Sequence, residues 1–196
     1  MNKKIYITMG DPRGIGPQII LKSLKELVLS ETPLQFIPVI IGDHSIMNEY
    51  CAKYGVQVLD LNKTADPQAG NIYSLFMAGT GHPGRDSLAY IDTAVGLCLE
   101  NAMDAVVTGP VIKEAVADIK SGFMGHTEYI AALAGISKTA MTFIAGRIKM
   151  SLITTHIPLS SISKILSPEM VTDHVLTVKE GLRKFFNISS PGIVMC

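Results

Sequence analysis

Ser151-Leu152-Ile153-Thr154-Thr155-His156-Ile157-Pro158-Leu159 is the stretch on which the reading of this chain turns. The apolar run from Met150 to Thr154 predicts a buried strand that ends at a histidine and a proline. In α/β proteins the chemistry sits at strand ends, because side chains there leave the packed sheet and face a crevice. His156 falls at such an end. Upstream lies a second polar cluster, Gly125-His126-Thr127-Glu128. The two clusters are expected to be parts of one active site.

Outward from this stretch, strands alternate with helices. That alternation predicts an α/β protein with a mostly parallel sheet. Towards the N-terminus, Lys4 to Met9 reads as a strand and runs into Gly10-Asp11-Pro12-Arg13-Gly14-Ile15-Gly16-Pro17. Gln18 to Val28 follows as a helix, with Ile19, Ile20, Leu24 and Leu27 on one face and Pro17 in its first turn. Such a turn can present backbone N–H groups to an anion or can simply connect strand to helix. Its spacing is not that of a dinucleotide fingerprint.

Phe36 to Ile41 reads as a strand ending in Gly42-Asp43, Ser45 to Tyr54 as a helix, and Val56 to Leu61 as a short extended piece. Residues 62 to 87, rich in Gly, Pro, Asn, Asp and Ser, predict a long surface connection, most flexible at Gly79 to Gly84. His82 there reads as a solvated loop residue. Ser87 to Asn101 is a helix with Ala94, Val95, Leu97 and Cys98 on its apolar face, and Asp104 to Thr108 a buried strand closed by Gly109-Pro110.

Ile112 to Ile119 reads as a helix, and its Lys113 either reaches a crevice or stays solvated. Thr127 is placed to cap a helix from Glu128 to Ala134. Thr139 to Ala145 predicts a strand, and Gly146-Arg147-Ile148 a turn. Ser167 and Pro168 open a helix running to about Phe185 that contains His174. Gly192 to Cys196 predicts the start of another buried strand.

The chain has 196 residues, 47% hydrophobic and 17% charged, with a net charge of zero. That composition is globular, and it gives no electrostatic reason to expect nucleic acid. The longest apolar runs are far shorter than the roughly 20 residues that span a bilayer, so no membrane partner is expected. Met1-Asn2-Lys3-Lys4 leads straight into a strand pattern rather than a signal peptide, which predicts a cytoplasmic protein. Cys51, Cys98 and Cys196 are odd in number and widely spaced, against both a disulfide framework and a thiolate zinc site.

Four segments carry a family resemblance: Thr8 to Pro17, Thr108-Gly109-Pro110-Val111-Ile112-Lys113-Glu114-Ala115, Gly125 to Glu128, and Thr154-Thr155-His156-Ile157-Pro158-Leu159. In sequence, order and spacing they resemble the 4-hydroxythreonine-4-phosphate dehydrogenases of pyridoxine biosynthesis. The resemblance implies an isocitrate/isopropylmalate dehydrogenase-like α/β fold of two domains, here residues 1–124 and 125–196, incomplete at the C-terminus.

It also implies NAD- or NADP-dependent oxidation of 4-phosphooxy-L-threonine. The product, 2-amino-3-oxo-4-phosphooxybutanoate, decarboxylates to 3-amino-2-oxopropyl phosphate on the way to pyridoxal 5'-phosphate. A divalent metal (zinc, magnesium or cobalt) and a homodimer with an active site shared between subunits come with the family. His126 and Thr127 match its substrate-binding pair and His156 its first metal ligand. Further metal and phosphate ligands of the family lie beyond the matched segments, so this chain alone is expected to bind weakly or be inactive. Gln18, Gly109 and Ile112 depart from the usual motifs and the Gly79 to Ser87 connection is short. These departures keep open a paralogous 4-phospho-D-threonate or D-erythronate dehydrogenase, or a non-catalytic fragment of the same fold.

Overall fold

The structure is a computed structural model that describes residues 3–30, 34–101 and 104–196, so the reading of Met1 and Asn2 lies outside the described residues. It divides into two compact units, Met1–Ala134 and Gly135–Cys196.

The first unit is built on a five-stranded parallel sheet, as the alternation of elements predicts. Its strands are β1 (Lys3–Thr8), β2 (Phe36–Asp43), β3 (Leu59–Asp60), β4 (Tyr73–Met77) and β5 (Ala105–Thr108), in the order β3-β4-β2-β1-β5. Its helices are α1 (Gly16–Leu29), α2 (His44–Tyr54), α3 (Pro83–Glu100), α4 (Lys113–Ala117) and α5 (His126–Leu133). The chain leaves β1 to one side through α1 and lands on its other side through α3. Right-handed crossovers then put α3 on the face opposite α1 and α2. Ile37, Val39, Ile40 and Ile41 of β2 are wholly enclosed, which is why this strand reads as an unbroken apolar run. Ile20, Leu21 and Leu24 of α1, Met47 of α2 and Tyr90 and Ala94 of α3 close the core around it.

Several expectations are corrected here. The buried stripe of α1 is Ile20, Leu21 and Leu24, whereas Ile19 and Leu27 stay exposed, because Ile19 sits one position off that stripe and Leu27 lies in the last turn. The supposed surface connection contains β4, a central strand between β2 and β3 with Tyr73 and Ser74 fully buried. β5 is an edge strand with alternating exposure rather than a buried one. Thr127 does not cap α5: the helix begins at His126, with Gly125 in the cap position.

The second unit holds a two-stranded antiparallel sheet of β6 (Met141–Ala145) and β7 (Ile148–Leu152), then α6 (Leu159–Ile165) and α7 (Pro168–Phe186). Gly146, at φ +56°, and Arg147 make the hairpin turn. The Ser167 hydroxyl accepts from Met170 N–H and Pro168 opens α7, as the sequence predicts. The strand before His156 is therefore one arm of a hairpin, half exposed rather than buried, and it stops at Leu152. Ile193, Val194 and Met195 are exposed and form no strand.

Candidate active site

β1 and β5 stand side by side where the sheet's connections reverse direction, the place at which α/β folds open a crevice. The loops leaving these two strands are stapled through their backbones. Gly109 N–H donates to the Thr8 carbonyl at 2.9 Å, and Asp11 N–H to the Pro110 carbonyl at 2.9 Å. This approach explains the glycines. A Cβ on Gly10 would lie 2.2 Å from the Pro110 oxygen and one on Gly109 2.5 Å from the Thr8 oxygen, while one on Gly16 would overlap the Met9 oxygen. The first two sequence motifs are thus one structural piece. Asp11 lies within it, only 2% exposed. One of its carboxylate oxygens accepts from Arg13 N–H at 2.8 Å. The other is buried without a hydrogen-bond partner among the described residues.

A second group of carboxylates, not foreseen as functional, braces the neighbouring strand ends. Asp43 closes β2 and caps α2: its Oδ1 accepts from Ser45 Oγ and from Ile46 N–H at 3.0 Å, and its Oδ2 from Gly79 N–H at 2.8 Å. Burial pushes the Asp43 carboxyl up, but these hydrogen bonds outweigh it and hold the group below its ordinary value. Asp86, buried in the first turn of α3, accepts from the N–H of Thr80 at 2.8 Å and from its hydroxyl at 2.6 Å. Residues 79–82 are accordingly held in place. His82 is half-buried at the cap of α3 rather than solvated, and its Nδ1 accepts from Arg85 N–H at 3.4 Å. The signal was present in the sequence: an aspartate between an apolar strand and a helix is a cap.

His126 opens α5 against the Phe123 ring, edge to face at 6.4 Å. Its Nε2 is buried with no partner among the described residues. Burial, and then the charge of Lys113, lower the imidazole's pKa. His126 is therefore kept neutral, able to donate from one ring nitrogen and accept at the other. Lys113, exposed at the start of α4, makes no ion pair among the described residues. Thr127 follows His126, half-buried in the first turn. A neutral imidazole, a hydroxyl and a free ammonium suit a small polar anion bearing a hydroxyl.

His156 belongs to the second unit. It is exposed, and at φ +59° it is one of two non-glycine residues with positive φ among the described residues. It lies in the loop between β7 and α6, not at the end of a buried strand. His174, on α7, makes a 2.9 Å hydrogen bond between Nε2 and Ser151 Oγ. Among the described residues no three His, Cys, Asp or Glu side chains converge to hold a metal ion. A catalytic metal takes about three protein ligands, so the described donors do not by themselves compose such a centre.

A parallel sheet with polar groups and glycine-stapled loops at its C-terminal edge defines an α/β protein with a candidate crevice at that edge. Comparison makes the class specific: residues 35–196 match the family model described as pyridoxal phosphate biosynthetic protein PdxA, and the chain belongs to that family. It is 32% identical over 97% of its length to the 4-hydroxythreonine-4-phosphate dehydrogenase of Desulfosudis oleivorans, covering 60% of that protein. The Vibrio vulnificus protein of the same name is 30% identical over the whole chain, which covers 62% of it.

The crystal structure of the Klebsiella pneumoniae 4-hydroxythreonine-4-phosphate dehydrogenase superposes with a TM-score of 0.80 at 27% identity. That match covers 93% of this chain and 59% of that one. The chain thus spans about three fifths of the length of the relatives it matches. No helix among the described residues is long and apolar enough to cross a membrane.

Proposed function

We propose that this chain carries the N-terminal part of an NAD- or NADP-dependent dehydrogenase that oxidises 4-phosphooxy-L-threonine, with later decarboxylation to 3-amino-2-oxopropyl phosphate. The observation that carries the reading is the neutral, half-buried His126 with its free Nε2, in a motif shared in order with three others. In this reading His126 and Thr127 hold the polar groups of the substrate. Lys113 offers a cation to one of its anionic groups. The stapled loops after β1 and β5 keep the floor of the crevice rigid, so little is lost in ordering it on binding.

His156 is assigned as one ligand of a divalent metal, whose chemistry when bound is to polarise the hydroxyl being oxidised. The remaining ligands must come from outside this chain, through added polypeptide or a partner subunit in a homodimer. The incomplete donor set favours one further reading, a fragment that keeps the fold and has no activity alone.

Reduction of NAD or NADP with 4-phosphooxy-L-threonine, with and without zinc, magnesium or cobalt, is the test. Metal-dependent turnover that falls at least about a hundredfold in His126→Asn supports the assignment. Faster turnover of 4-phospho-D-threonate or 4-phospho-D-erythronate moves it to the paralogous reaction. No turnover with any of them leaves the non-catalytic reading in force.

A further inference from the structure

Among the described residues every buried side chain lies in the first unit, and three of them are carboxylates: Asp11, Asp43 and Asp86. Asp11 has the Arg13 Nε at 4.0 Å. Asp43 and Asp86, 9% and 4% exposed, make no ion pair among the described residues. A carboxylate taken out of water is costly unless a cation or a metal faces it. The two groups also converge. Both donors of Thr80 bind Asp86 Oδ1, and Oδ2 is turned towards Gly79. The position that a Cβ would take on Gly79 lies 2.5 Å from Asp43 Oδ2 and 3.6 Å from Asp86 Oδ2. One point beside the glycine is therefore shared by both carboxylates. Asp43 Oδ2 already accepts from Gly79 N–H, and a carboxylate oxygen has a second lone pair to give.

A third oxygen faces the same place. Tyr90 is 1% exposed and lies four residues after Asp86 on α3. Side chains four apart share a helix face, and long ones lean back over the preceding turn. The Tyr90 hydroxyl is buried with no hydrogen-bond partner among the described residues. Burial, then the charges of Asp86 and Asp43, push its pKa up, as expected of a phenol beside both carboxylates.

We propose that Asp43, Asp86 and Tyr90 form a binding site for a hard divalent cation of the magnesium or calcium type. Every donor is an oxygen, which selects against metals that prefer sulfur or nitrogen. Two carboxylates balance two positive charges. With three protein oxygens the ion keeps part of its water shell, as magnesium does where it binds through one or two carboxylates. No histidine takes part. Bound there, the ion ties the end of β2 to the start of α3 and holds the loop between β4 and α3 against both.

The test is calorimetric titration of the 196-residue chain with magnesium and, separately, with calcium. It is run in His156→Ala, which removes the histidine assigned to the metal of the proposed reaction. One equivalent of at least one ion should bind and should slow hydrogen exchange at Gly79 and Thr80. Asp86→Asn keeps an acceptor for Thr80 but removes a charge, and should weaken binding at least about tenfold. Tyr90→Phe keeps the ring in the core and should weaken binding at least about threefold. Slow exchange at residues 36–43 reports that the sheet is intact in each variant. If Asp86→Asn loses that slow exchange, Tyr90→Phe decides alone. Binding of neither ion to His156→Ala overturns the proposal, and so does binding that the folded variants leave unchanged.

Discussion

At the scale of single residues, Gly10 and His126 carry the sharpest expectations. Gly10 has φ +75° and its Cβ position lies 2.2 Å from the Pro110 carbonyl oxygen. Alanine there incurs both the left-handed backbone and a backbone-to-backbone clash, so Gly10→Ala should cost about 3 kcal/mol in urea unfolding. Gly55 is the control, since it shares a positive φ of +61° but has nothing near its Cβ position. Gly55→Ala should cost about 1 kcal/mol, and equal losses at the two sites would show that the stapled loops are looser than described. His126 is different in kind, because its proton is the variable. Its native pKa is lowered from 6.5 by burial and by Lys113, so the unfolded chain takes up the proton first on acidification. The stability tied to neutral His126 is present above about pH 6.5 and is lost as pH falls from there through the native value. An NMR titration should give a midpoint below 6.5 in the wild type that moves upward in Lys113→Met. A midpoint unmoved by that change would remove Lys113 from the site.

Among the elements, the connection from β4 to α3 depends on Asp43. Its side chain accepts from Ser45, Ile46 and Gly79, joining the end of β2 and the cap of α2 to the loop after β4. Asp43→Ala strands these donors and should cost about 3 kcal/mol by urea unfolding. The carboxyl is held below 3.8, so its contribution is complete above that pH and disappears as pH drops through the native value. Asp43→Asn should accordingly flatten the acid limb of the stability curve.

This aspartate also marks what the sequence could convey. A strand, a cap and a helix in succession leave a local pattern, so β1, α1, β2, α2, α3 and α7 were legible from periodicity and caps. β4 was not, because Tyr73 to Met77 is short and flanked by turn formers, and it becomes a strand only through its pairing with β2 and β3. β7 misled in the opposite way: its apolar residues suggested a buried strand, yet as one arm of the hairpin paired only with β6 among the described strands it is left half exposed. Of the site, His126 and the two glycine loops were legible as motifs. The carboxylate brace was not, since Asp43 and Gly79 meet only in the fold.

For the whole molecule, the contrast between a unit with a core and a unit without one can be read through the thiols. Cys51 and Cys98 both pack against the core cluster of the first unit, and Cys196 is exposed in the second. Burial pushes the Cys51 thiol up, and burial followed by the nearby Asp104 carboxylate pushes Cys98 to about 11. Since the thiolate is the reactive form, neither should react near neutral pH while the first unit is folded. A thiol reagent should therefore label Cys196 at once, and Cys196→Ser should erase that fast phase. Across a urea gradient the fast phase should persist unchanged. Cys51 sits on α2 and Cys98 on α3, and both pack against the core cluster of the sheet. If that core unfolds as one, both thiols become reactive at a single urea concentration, coincident with the loss of helical signal. Two separate midpoints would mean that α2 or α3 detaches before the sheet opens, and would divide the first unit into independently unfolding parts.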